Sequence, residues 1–399
     1  MDAAGRLIRS VVVAGLCLAV YWSARLAWAD WLGRQDSVEV VRRASALAPV
    51  DAFLRARLSD WKGAVSRNPY DSESLIHLGL EAEGRGDFPG AEKVLLRAAE
   101  VNRLYEPRWA LANYYFRRQS WGPFWQWAAS AAAISPVTPV PLYSLCREAT
   151  PDAGLIFDRV VAGRQWLLEG FLYWIESRNE LDGLRAVVPR SIELAGPGDH
   201  KVLAATTSRT LALGAPADAL RFWNRMIERG LLPFGRLDPE AGASLTNGDF
   251  RLPLKGEAFN WILTETPGVT SRWEEGRGVR FEFSGNQPEN LDLLAQNIPV
   301  TGGRQYVLRC RYRTSGIASG AGPVWLAGEL AGHPLATNDW DESSLEFVTR
   351  PESGLLRLRL SYGRVPGTTR INGVLWLSSV RLDSRVRTES APGRPARPR

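Results

Sequence analysis

The sequence predicts a multidomain α + β protein with three parts in chain order. These are an N-terminal transmembrane helix, an α-helical repeat solenoid and a C-terminal antiparallel β-sandwich. Three observations predict it. An uncharged apolar run follows Arg6 and Arg9, a self-similarity of 34 residues (Leu75 onto Trp109) organises the first half, and beyond Pro239 the hydrophobic period changes from helical to two. The expected boundaries are 1–30 for the membrane segment, 31–235 for the helical repeats and 244–384 for the sandwich. Residues 385–399 form a Pro/Arg-rich basic tail expected to be disordered.

Composition leaves room for these cores. The 399 residues are 45% hydrophobic and 23% charged, which is ordinary for globular chains. A formal net charge of +6 is modest, and with only Lys62, Lys93, Lys201 and Lys255 as lysines the cation is nearly always arginine. No nucleic-acid partner is expected. Cys17, Cys146 and Cys310 form no CxxC pair, so neither a disulfide framework nor a zinc site is supported. Cys146 and Cys310 read as buried free thiols, with a bridge between them as the alternative.

The apolar run extends uncharged from Val11 to Trp22 and on to Arg25. A span from Leu7 to Leu26 approaches the ~20 residues that a bilayer core requires, with Trp22, Trp28 and Trp31 as an interfacial belt. Arg25 would cost ~3 kcal/mol at a helix centre but can snorkel from near the end. This is the anchor reading: single-pass in a bacterial inner membrane, with the bulk of the chain periplasmic. The alternative is a signal peptide cleaved near Ala29, after Ala27-Trp28-Ala29.

The 34-residue shift also places Leu78 on Ala112, Gly79 on Asn113, Ala91 on Trp125, Leu95 on Ala129 and Ala98 on Ala132. Two packed helices per unit need small residues where they cross, here Gly79, Ala91 and Ala98. One such unit cannot bury its apolar face alone, so units stack. The spacing resembles the tetratricopeptide (TPR) pattern, W-x2-L-G-x2-Y followed by A-x3-F-x2-A and a proline. Further helix pairs are expected at 164–178 with 181–195 and at 200–213 with 216–229. Prolines 136, 139, 141 and 151 predict an irregular stretch over 136–163, and between Pro49 and Pro69 there is room for one helix. Arg85-Gly86-Asp87 reads as the turn between two helices.

In the second half, Val279, Phe281 and Phe283 alternate with Arg280 and Glu282. Tyr306, Leu308, Cys310 and Tyr312 alternate with Arg309 and Arg311, and Leu356, Leu358 and Leu360 with Arg357 and Arg359. Period two with one charged face predicts eight to ten half-buried antiparallel strands. Gly302-Gly303, Pro366-Gly367 and Asn372-Gly373 are expected turns. Leu245-Thr-Asn247-Gly248-Asp249-Phe250, an aromatic strand at Phe259-Asn260-Trp261, the stretch Gln296 to Tyr306 and the closing strand Val374 to Val380 resemble jelly-roll, galactose-binding-like domains, which include several carbohydrate-binding modules. That resemblance implies a structural calcium between opening loop and closing strand. Arg251, and Ser378-Ser379 where relatives often carry Asp, count against it, so no cofactor is expected.

No catalytic constellation is found, and the chain reads as a non-enzyme. His77, His200 and His333 have no neighbouring ligand at metal spacing. No nucleophile elbow, phosphate loop or dinucleotide fingerprint occurs, and Asp339-Trp340-Asp341 lies between strands, away from any α/β context. Taken whole, the chain resembles membrane-anchored TPR proteins that accompany exopolysaccharide or O-antigen machinery. The resemblance implies a periplasmic scaffold that gathers envelope proteins in a groove, with Glu81, Asn113, Tyr114, Arg117 and Trp121 as its candidate contacts. The alternative is a lectin whose sandwich binds polysaccharide through Asn338, Asp339 and Trp340.

Overall fold

The computed structural model describes residues 3–385. All but the first residue of the expected 385–399 tail therefore lies outside the described residues. An N-terminal helical region of fourteen α-helices among the described residues precedes two antiparallel sheets that form a β-sandwich. The chain divides into two compact units, Met1–Gly170 and Phe171–Arg399.

The first unit opens with α1 (Ala3–Gly33), a helix long and apolar enough to cross a membrane or to act as a signal sequence. Its span Leu7–Gly33 has a mean hydropathy of 1.8 over its most apolar window, and that window is wholly unburied. The end of the same helix is packed differently. Ala29, 1% exposed, joins Val41 and Ala44 of α2 (Val38–Leu47), Ala48, and Leu54 of α3 (Ala52–Arg57) in a small core. Arg25 Nε donates to Leu47 O at 2.8 Å, and its guanidinium lies 4.8 Å from the Trp22 ring.

Helices α4 (Trp61–Arg67), α5 (Ser72–Gly84), α6 (Phe88–Val101), α7 (Tyr105–Arg117) and α8 (Trp121–Ala132) follow. Between Pro49 and Pro69 the chain makes two short helices where one was expected. Asp51 and Asp60 each cap a new start, and Ser59 turns the chain between them at φ 59°. In α5 and α6 the small residues do what the spacing requires. Gly79 and Ala91 are buried, and a Cβ at Gly79 would stand 2.7 Å from Leu95 Cγ. The Arg85-Gly86-Asp87 turn has Gly86 at φ +82°, and the Asp87 carboxylate caps α6 at Gly90 N (3.0 Å).

The stretch 136–163 is not irregular. It holds α9 (Val140–Ala149), α10 (Ala153–Ile156) and a π-helical turn, Phe157–Val161. Three of the four prolines that predicted disruption stand at helix starts, where a missing N–H costs nothing: Pro139 caps α9, Pro141 lies in its first turn, and Pro151 precedes the capping Asp152, while Pro136 lies in the link between α8 and α9. Helix α11 (Gln165–Ser177) carries the chain into the second unit.

In the second unit, α12 (Leu181–Leu194), α13 (His200–Ala212) and α14 (Pro216–Glu228) are joined to the start of the sandwich. Trp223 of α14 stacks on Phe234 (5.5 Å) and meets Phe259 edge-on (5.8 Å). The Asn224 amide closes two hydrogen bonds with the Leu237 backbone, and Ser208 Oγ accepts from Ala258 N at 2.6 Å.

Ten strands build the sandwich: β1 (Ile262–Leu263), β2 (Val269–Glu274), β3 (Gly278–Ser284), β4 (Asn290–Pro299), β5 (Gln305–Ser315), β6 (Val324–Ala327), β7 (Leu330–Ala331), β8 (Asp341–Val348), β9 (Leu355–Gly363) and β10 (Asn372–Arg385). They form sheets of order β1-β4-β9-β6-β7 and β2-β3-β10-β5-β8. Alternate residues fill the core, led by Phe250, Trp261, Phe281, Tyr306, Trp325 and Tyr362. Two local expectations fail. Asn372-Gly373 is no turn but the start of β10, because both residues pair with β3, and Gly373 has Ser315 O where a Cβ would go. Phe259-Asn260-Trp261 is not a strand. Its side chains are buried, but ladder pairing starts only at Ile262 with Ala295, after the Asn260 side chain has bonded Trp261 N.

Candidate functional site

The outer face of the second sheet carries a row of aromatic and cationic side chains that crosses its strands. Antiparallel register places Arg272 opposite Arg280, Arg280 opposite Trp376, and Trp376 opposite Arg313. The pairing of Tyr312 with Asp341 brings Trp340, one residue before β8, to the next place in the row. Neighbouring strands lie about 4.8 Å apart, so the row runs for roughly 19 Å. The rings and guanidinium groups interleave. Arg313 Cζ lies 4.3 Å from the Trp376 ring and 5.6 Å from that of Trp340, Arg280 lies 5.9 Å from Trp376, and Arg311 lies 5.6 Å from Trp340. These are cation–π distances.

Local chemistry holds the row in place. Tyr312 and Leu377 point into the core, so their neighbours Arg311, Arg313 and Trp376 must point outward. The segment before Trp340 is pinned where Thr314 N donates to Thr337 O (2.7 Å) and Thr337 N donates to Thr314 Oγ1 (2.8 Å). Leu335 beneath it is fully buried. Trp340 is left 43% exposed on a backbone tied down on its N-terminal side. Trp376, between two cations, is half-buried.

Of the residues expected on the sandwich, Asn338 and Asp339 are exposed and directly precede Trp340. Sequence reasoning missed Trp376, Arg280, Arg311 and Arg313. Their signal was the parity of each strand, but the register that aligns strands far apart in sequence is a tertiary property.

The residues expected in the helical groove differ in their exposure and partners. Tyr114 is 3% exposed, and its hydroxyl donates to Phe88 O at 2.9 Å. Arg117 is held in a two-pronged ion pair by Glu83, at 2.8 and 2.6 Å. Asn113 is half-buried and its amide donates to Trp109 O. Glu81 is exposed with Arg85 at 3.7 Å, and Trp121, 43% exposed, rests edge-on against Phe116 and Phe124.

The opening loop and closing strand meet through their backbones. Val380 N donates to Gly248 O at 2.6 Å, and no Cβ fits at Gly248 against Val380 O. Asp249 pairs with Arg251 (2.9 Å) and Asp383 with Arg309, so this donor set does not fit a calcium ion. No cluster of three or more His, Cys, Asp or Glu that could hold a metal occurs among the described residues. His77 stacks on Trp61 at 4.0 Å, His200 bonds Pro197 O, and His333 is exposed in a loop. Cys146 and Cys310 are free and buried, and burial pushes their thiols up to about 12 and about 11.

No protein-family model matches the chain, and no curated protein matches it. Among solved structures it is similar to a CBM4 module at 12% identity and a TM-score of 0.27, over 36% of this chain and 100% of that one. It is also similar to CBM1 of BiXyn10A in its apo form, at 16% and 0.21, over 32% and 89%. The alkylpurine DNA glycosylase AlkC of Pseudomonas fluorescens, bound to DNA with an abasic-site analogue, matches at 15% and 0.19, over 88% and 82%. Likenesses this low decide nothing about what the chain binds.

Proposed function

We propose that this protein is a non-catalytic, membrane-tethered glycan-binding protein of the bacterial envelope. In this reading α1 is the tether, the helix pairs between α4 and α14 are degenerate TPR units, and the outer face of the second sheet receives the sugar. The observation that carries it is the pair of indoles in one cross-strand row, Trp340 exposed and Trp376 half-buried, on strands fixed by the sandwich. The apolar face of a pyranose ring stacks on such a surface at little conformational cost, while Asn338 and Asp339 supply hydrogen-bond partners for hydroxyls. Service in polysaccharide assembly or export follows from a tethered binder on the periplasmic side.

The full chain, purified in detergent, is expected to be retained by an envelope polysaccharide preparation or on a glycan array. Trp340→Ala and Trp376→Ala should each lower that binding about tenfold or more, with the melting transition kept within a few degrees. If both variants bind as the parent does, the site assignment fails. If the parent retains no glycan, the function fails with it.

A protein-scaffold role through the helical repeats is the second reading, favoured by the exposed Trp121 ring, since large exposed aromatics anchor interfaces. Cross-linking in the envelope from positions within 70–135 that traps a defined protein, in a chain that binds no glycan, would establish it instead.

A further inference from the structure

We infer that the tryptophan–arginine row selects acidic saccharides, those bearing a carboxylate on the sugar, over their neutral counterparts. The inference rests on the glycan-binding reading of this face and adds the ligand class.

Most arginines of the second unit are already paired. In the groove of 360 Å³ between α12 and α14, Arg185 and Arg221 share Asp218, and Arg225 holds Glu193 at 2.6 Å. On the same face of the sandwich, Arg280 pairs with Glu282 (2.9 Å), and Arg309 with Asp383 and Glu342. Arg311 and Arg313, like Arg272 at the far end of the row, are different. Neither makes an ion pair among the described residues, although Asp339, Asp341 and Glu342 lie on the adjoining strand and loop. Arg313 Nε is out of solvent contact and has no acceptor. That nitrogen has lost water that nothing on the protein replaces. An incoming carboxylate would offset the charge that the protein leaves unpaired.

A carboxylate is the anion that a sugar carries on its own carbon skeleton. The guanidinium fork matches a planar carboxylate through two parallel N–H···O bonds, and two such forks flank the Trp340 ring. A uronate-type residue lying on Trp340 would bring its ring to the indole and its carboxylate to Arg311 or Arg313. The neighbouring rings also crowd the guanidinium groups, so less side-chain freedom remains to be lost on binding.

The test uses the full chain in detergent micelles, with polygalacturonate as the acidic probe and its methyl ester as the neutral one. The ester removes the charge and leaves the sugar unchanged. The acid is expected to bind at least about tenfold more tightly, ~1.4 kcal/mol. Arg313→Gln and Arg311→Gln should each abolish most of that preference, so that acid and ester bind alike. Arg357→Gln, exposed on the other sheet, is the control for general attraction by a basic chain. Arg311 is exposed, so its variant carries the test even if Arg313→Gln fails to fold. Equal binding of acid and ester overturns the acid selectivity and leaves the glycan-binding reading standing. A loss in Arg357→Gln equal to that in Arg313→Gln also overturns it, because the attraction is then diffuse. Retention of neither probe, nor of any neutral glycan, overturns both.

Discussion

Arg117 and Arg313 are both half-exposed cations near aromatic rings, yet only one is available to a ligand. The first is closed by the two oxygens of Glu83, and the second has rings on two sides and no carboxylate. The difference lies in the partners, which sequence position does not reveal. Partners and burial also set the titration of Glu176, in the half of α11 that belongs to the second unit. Burial pushes its carboxyl above the ordinary 4.5, opposed by a hydrogen bond from Thr206 and the charge of Arg209. A raised folded pKa means that the folded state holds the proton more tightly. This contribution to stability is fully present below about pH 4.5 and is lost as pH rises through the folded pKa. Glu176→Gln is therefore expected to gain stability relative to the parent as pH rises from 4.5 toward neutrality. Denaturant titrations of both proteins across that range measure it, and a difference that does not vary with pH contradicts the assignment.

At the scale of elements, α1 serves two environments. From Leu7 to Ala24 its side chains are exposed, whereas Arg25, Ala29 and Gly33 belong to the contact with α2 and α3. A small side chain at position 29 lets α2 approach, and the same smallness made Ala27-Trp28-Ala29 resemble a cleavage site. Ala29→Leu should overpack this junction and cost ~1–3 kcal/mol, visible as an earlier thermal transition. Leu16→Ala, on the exposed stretch, should leave the transition unchanged. An equal effect of the two would mean that the junction adds nothing to the helical unit. The α5–α6 crossing follows the same rule, with Leu95 filling the hollow that Gly79 leaves.

For the molecule as a whole, that junction bears on whether α1 is kept as a tether. Cleavage after Ala29 would take Ala29 out of the core that it shares with Val41, Ala44 and Leu54, and leave Leu47 O without Arg25. The protein is therefore expected to stay in the membrane fraction after an alkaline wash, with α1 retained. Recovery of a soluble chain that begins at Asp30 would refute the tether.

The sequence by itself determined the three-part order, because hydrophobic period is a local property and each part writes its own. An apolar run, small residues at helical crossings and alternation in Val279 to Phe283 can all be read without knowing what lies opposite. It also marked Trp340 as a polar-loop indole. Prolines misled over 136–163, since a proline that breaks a helix and one that begins it look alike until the caps are seen. Only the tertiary structure decided the rest. Register between strands β3, β10 and β5 aligned Arg280, Trp376 and Arg313, residues nearly a hundred positions apart, into one row with Trp340. It left Arg311 and Arg313 without carboxylates while giving one to Arg117. Side-chain pairing depends on what the fold brings within a few ångströms, and that distance is not encoded by spacing along the chain.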